Sequence, residues 1–205
     1  MNIFMLRSKP HNIQRIDHFL KKNEIAIGWS ETGDLTGVTK EGIRTILSDL
    51  GYSGQSLLTN LGLVNSFIHT MKVGDIVLIR EQEIVHIGKV GEYKWKKEYE
   101  PEFMSHTRSV EWLGQVPFEE LNAPLQSLLK NIRTISKFKG KLEESALEQH
   151  ISAQHLDFGT ANKKIDENDP LLKNAVEVLS HLMNHAEDET VRLEATKELL
   201  RHLNK

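Results

Sequence analysis

The chain has 205 residues, 39% hydrophobic and 27% charged, with a formal net charge of −3 and no cysteine. That length suits one ordinary domain with or without a small appendage. The composition excludes a disulfide framework, a thiolate nucleophile and a thiolate metal site, and no apolar run reaches the roughly 18 residues of a membrane span.

The amino terminus, MNIFMLRSKPHN, lacks the apolar centre of a signal peptide, so a cytoplasmic protein is expected. NIFMLR reads as a first strand. Ile13, Ile16, Phe19 and Leu20 then recur at helical spacing, and EIAIGW follows as the next strand. Trp29 falls where this strand runs out into a turn punctuated by Gly33 and Gly37, as a rim-of-core residue or as one wall of a pocket. Thr39 can cap a helix striped by Ile43, Ile46, Leu47 and Leu50 and stopped by Gly51. A second helix carries Leu57, Leu61, Val64, Ile68 and Met71. The period then shortens: KVGDIVLIRE, EIVHIGKVGEY and RSVEWLGQV read as neighbouring strands, with Trp112 on a core face beside Val110. These elements predict an α+β fold built on a small curved mixed sheet or partly open barrel with flanking helices.

Beyond residue 139 the chain becomes polar, and residues 140–168 read as a connector with one short helix around residues 142–151. Asp169-Pro170 is a helix start, and two apolar stripes over 169–205 predict a helical hairpin that must dock on the first domain or on another copy. Residues 1–139 hold 18 Lys+Arg against 16 Asp+Glu, a balance of +2; residues 140–205 hold 8 against 13, a balance of −5. The mild excess in the first part is not the footprint of a non-specific nucleic-acid binder, so a nucleic-acid ligand would need a local pocket.

Motifs for catalysis are missing. There is no G-x-S-x-G elbow and no phosphate-binding glycine loop. His181 and His185 stand four apart, but no glutamate adjoins the first and no third ligand is at suggestive spacing. The trio Asp157-Phe158-Gly159 has none of the other kinase motifs around it. No enzyme, metal or cofactor is expected.

In order, GWSETGDLTG, SFIHTMKVGDIVLI, IGKVGEYKW, HTRSVEWLGQVPFEEL and LQSLLKNIRTISKF resemble the N-terminal domain of Mrr-type restriction endonucleases and related bacterial defence proteins. That domain is a PUA-like fold akin to the EVE and YTH readers of modified bases, and the resemblance covers residues 1–138. It implies that Trp29 and Ser30 stand at the first wall of an aromatic cage and that Trp95, in a loop ahead of RSVEW, is the second wall, with Tyr93, Tyr99 and Phe103 as substitutes. The loop departs from the YTH pattern in carrying several aromatics and four acidic residues, Glu92, Glu98, Glu100 and Glu102.

The implied function is to enclose a modified DNA base taken out of its stack, in a restriction or phage-defence setting. Ser30, Asn60 and Asn65 would hydrogen-bond the base edge, and Lys94, Lys96, Lys97, Arg80 and Arg108 would hold phosphates. The cutting domain is absent from this sequence, so a separate effector is the expected partner, with self-assembly through residues 169–205. Two alternatives remain: a sensor or sponge for a free nucleotide or signalling dinucleotide, and a scaffold with a vestigial pocket.

Overall fold

The computed structural model of the chain describes residues 1–151. The chain divides into two compact units, Met1–Leu156 and Asp157–Lys205. The described residues all lie in the first. The helices expected over 169–205, their role in assembly, His181 and His185, and the trio at 157–159 lie outside the described residues.

Six strands form one sheet: β1 (Ile3–Leu6), β2 (Glu24–Ile27), β3 (Ile76–Glu81), β4 (Ile84–Trp95), β5 (His106–Pro117) and β6 (Ile135–Lys137), in the order β2-β5-β4-β3-β1-β6. Only β1 and β3 run parallel; every other neighbouring pair is antiparallel. The sheet is therefore mixed and, with β2 and β6 at its two edges, does not close into a barrel. Short helices complete an α+β unit: α1 (Ile16–Lys22), α2 (Lys40–Asp49), α3 (Gly54–Asn65), α4 (Ala123–Leu129) and α5 (Leu142–Ser145).

The helix signals act as their chemistry dictates. The Thr39 hydroxyl accepts the Gly42 N–H at 3.2 Å and caps α2. Asn122 does the same for α4 through Leu125 N–H at 3.1 Å. The apolar stripe of α2 and α3 buries Ile43, Leu47, Leu61 and Val64 against Phe4, Ile25, Ile27, Val77, Ile79, Val90 and Val110 of the sheet. What reads as one long second helix is two pieces. α3 ends at Asn65 and passes into a π-turn, Ser66–Thr70, which changes the direction of the main-chain carbonyls there.

α4 packs on β3, and a 3₁₀ turn at Leu147–His150 packs on β5. Leu125, Leu129, Leu147 and Ile151 are buried. Packing within the first unit thus continues past residue 139 as far as Ile151.

One irregularity decides what β4 presents. Val90 pairs with Val110, but Arg108 pairs with Tyr93 rather than residue 92, so β4 holds an extra residue in a bulge. The bulge reverses the alternation. Tyr93 and Trp95, and not Glu92 and Lys94, share the face of Arg108 and His106. Gly91 permits this, because a Cβ there would lie 2.1 Å from the Ser109 hydroxyl oxygen.

Candidate functional site

The exits of β2 and β4 and the entrance of β5 meet around one imidazole, that of His106. Its register partners are Ile27 on one side and Trp95 on the other, and it is fully buried. Its Nε2 lies 3.0 Å from the Trp29 carbonyl and 2.9 Å from Thr32 Oγ1, and its Nδ1 lies 2.9 Å from the Tyr93 hydroxyl. A carbonyl can only accept, so Nε2 carries the proton and Nδ1 accepts from Tyr93. Tyr93 in turn accepts the Leu35 N–H at 3.4 Å, and the Thr32 hydroxyl donates to the Trp29 carbonyl at 2.8 Å. Every polar atom of the imidazole is used in its neutral form. Burial pushes its pKa down to about 4, against the weaker opposing effects of the Trp29 carbonyl and Asp34. Burial likewise pushes the Tyr93 hydroxyl up to about 12.

The network holds Trp29 in a costly shape. Its φ of 65° and ψ of 35° are left-handed, which for a bulky residue is uncommon and costs on the order of 1–3 kcal/mol. Phe103 (φ 55°) and His11 (φ 51°) share that conformation and stack on each other with centroids 4.2 Å apart. The 3₁₀ turn that Phe103 ends, Lys97–Glu102, packs against the turn at Ser30–Thr32 that follows Trp29. Of the seven left-handed non-glycine residues among those described, three, His11, Trp29 and Phe103, meet where the chain leaves β2.

Both tryptophans adjoin the same imidazole, Trp29 by its main-chain carbonyl and Trp95 by its ring. Trp29 offers it the carbonyl, while its own half-buried ring packs at the edge of the core and donates Nε1–H to Asn60 Oδ1 at 3.2 Å. The Trp95 ring lies 5.0 Å from the His106 ring at a tilt of 57° and is half-buried. Tyr93 stacks on His106 from 6.0 Å. Trp95 was expected in a loop; it is the last residue of β4, so strand pairing fixes its position.

Several residues expected at the ligand are engaged otherwise. Ser30 is buried and accepts the Ser105 N–H at 3.2 Å. Asn60 positions the Trp29 indole while donating to the Ser56 carbonyl at 2.8 Å. Asn65 is half-buried at the end of α3.

Of the five cations expected at phosphates, Arg108 is corrected outright. It is 4% exposed, and its guanidinium donates to the carbonyls of Phe67, Ile68, Met71 and Gly91 at 2.9–3.0 Å. It clamps the π-turn to the sheet. Arg80 is corrected too: it lies over the Phe118 ring at 3.5 Å and bonds the Gln82 carbonyl at 2.7 Å, at the opposite end of β4 from Trp95. Lys96 pairs with buried Glu24, which also takes bonds from Tyr99 at 2.8 Å and His18 at 2.9 Å. Burial raises the Glu24 pKa, but these three donors together hold it below the ordinary value. Lys94 and Lys97 are exposed, with Lys94 on the sheet face opposite Trp95.

Sequence reasoning missed His106. The signal was HTRSV, which reads as a strand starting at Arg108; extending it two residues puts His106, Arg108 and Val110 in phase. Among the described residues no three His, Asp or Glu side chains gather as a metal-binding group, and no helix is long and apolar enough to cross a membrane.

No curated protein matches the chain. The model of the family described as "Domain of unknown function (DUF8426)" matches residues 5–137, and because those 133 residues (137 − 5 + 1) are well over half of the 205, the chain belongs to that family.

Proposed function

We propose that this chain binds a nucleic acid by stacking one base, a modified base in DNA, against the half-buried indoles of Trp29 and Trp95. The observation that carries the reading is the strained left-handed Trp29, held by a neutral buried His106 that also supports Trp95. Strain of this size persists only where surrounding structure enforces it, and it is concentrated at ligand sites. Base-on-aromatic stacking is worth about 1–3 kcal/mol per base. A methyl group on the base adds roughly 1 kcal/mol by burial. The fold is read as PUA-like, and the resemblance to restriction-associated domains supplies the setting: recognition in bacterial or phage defence, without catalysis by this domain and with a separate effector.

A second reading has an observation of its own. Arg80, Lys96 and Arg108 are all engaged by other protein groups, which favours a ligand with few phosphates, a free nucleotide or signalling dinucleotide, over a long polymer. Titrating tryptophan fluorescence with methylated oligonucleotide, unmodified oligonucleotide and free nucleotides separates the two. The reader function requires tighter binding of the methylated strand and loss of binding in Trp29→Ala and Trp95→Ala. Equal affinity for both strands, unchanged in the variants, overturns it.

A further inference from the structure

A second surface, away from His106, has the chemistry of a polymer site. A groove of about 1150 Å³ runs between α3 and the segment from α4 to β6. Its floor mixes Leu63 and Leu128 with Thr59, Ser127 and Ser136, and the buried Ser136 hydroxyl has no hydrogen-bond partner among the described residues. Its rim carries Arg133, Lys137 and Lys139, all exposed, with Phe138 half-buried between the two lysines. Gly140 makes room for that ring, since a Cβ there would lie 2.7 Å from Phe138 Cε1. Among the described residues the one carboxylate on the lining, Glu144, accepts the Lys141 N–H at 3.2 Å. The sequence behind the rim, KNIRTISKFKGK over residues 130–141, holds five basic residues and no acidic one. Lysine on an edge strand such as β6 deters strand addition, but that purpose does not account for five cations or for the aromatic between two of them.

We infer that this groove binds the backbone of a single-stranded nucleic acid, with Arg133, Lys137 and Lys139 on successive phosphates and Phe138 under one base. A positive track with interleaved aromatic faces is how single strands are held without regard to sequence. The polymer's identity rests on the reading under Proposed function. The groove also supplies phosphate contacts that the engaged Arg80, Lys96 and Arg108 do not.

The test uses the full chain and a fluorescent, unmodified 12-nucleotide strand of mixed sequence, titrated by anisotropy across a salt series. Each phosphate contact on a single strand contributes about 0.7 to the slope of log affinity against log salt. The variant Arg133→Gln/Lys137→Gln/Lys139→Gln should therefore flatten the slope by about 2, removing a roughly twentyfold salt effect between 50 and 200 mM. The control Lys21→Gln/Lys22→Gln/Lys72→Gln makes an equal charge change at exposed sites elsewhere and should leave the slope unchanged. An unchanged slope in the groove variant, equal loss in the control, or no binding of the strand by the wild type overturns the inference. Equal competition by a poly-glutamate peptide also overturns it, in favour of an acidic protein partner. Quenching of the indoles by free nucleotide reports the aromatic site separately, so either site can fail while the other stands.

Discussion

Acid should destabilise this fold through His106, by an amount the structure sets. The imidazole is fully buried and satisfied as the neutral form, with a folded pKa of about 4 against 6.5 in the unfolded chain. A depressed histidine costs nothing above pH 6.5, where neither state is protonated. Below that the unfolded chain binds a proton that the native one refuses, so stability falls as pH drops from 6.5 towards 4. Between pH 7.5 and 5 the loss is about 2 kcal/mol, and fully developed it reaches about 3 kcal/mol. Urea unfolding over that range, in wild type and in His106→Gln, isolates the effect from the other titrating groups. Glutamine can donate to the Trp29 carbonyl and accept from Tyr93 without titrating. The variant should lack this share of the acid limb, and its stability curve should run flatter by about 2 kcal/mol. Parallel curves for the two proteins would refute the argument that His106 is held neutral by burial and by its three partners.

Other expectations follow from the same geometry. Arg108→Met should cost about 3–5 kcal/mol in urea unfolding, because four inward-facing carbonyls lose their donor; a loss below 1 kcal/mol would show that the π-turn holds without the clamp. At Trp29, asparagine should be better tolerated than leucine by about 1 kcal/mol, since asparagine accepts a left-handed backbone while both remove the indole; equal melting temperatures would mean the strain is absent. Gly91→Ala should cost about 1 kcal/mol in urea unfolding, since the exposed Ser109 hydroxyl can rotate aside while its main-chain oxygen would still lie 3.2 Å from the new Cβ; no loss would show that the bulge does not depend on glycine. Glu24, held below its ordinary pKa, stabilises the fold above about pH 4.5 and ceases to do so as pH falls through its lower folded value; Glu24→Gln should shed that acid dependence in thermal melts.

Much of the framework was legible because periodicity and caps are local. The stripe of α2, the hydroxyl of Thr39 and the alternating strands each report from within a few residues. The site was less legible because its key event is an extra residue. Alternation through GKVGEYKW places Glu92 and Lys94 in phase with Val90, and only the bulge at Gly91 shifts the inward face to Tyr93 and Trp95. Arg108 illustrates a second limit: a strand arginine reads as a surface cation unless the carbonyls of a π-turn 37–41 residues earlier in the chain are known to face it. Trp29 was legible as a residue at the rim of the strand, but its left-handed backbone was not, since nothing about tryptophan favours it.

The parallel pairing of β1 with β3 sets a timetable for synthesis. Ile3 must wait for Ile76, 73 residues later, which at about 5–20 residues per second is roughly 4–15 seconds on the ribosome. Its other flank stays bare until Ile135–Lys137 emerges, so the most apolar stretch of the amino terminus spends much of translation without either neighbour. Truncation before Ile135 would remove β6 and leave that first strand paired on its β3 side alone.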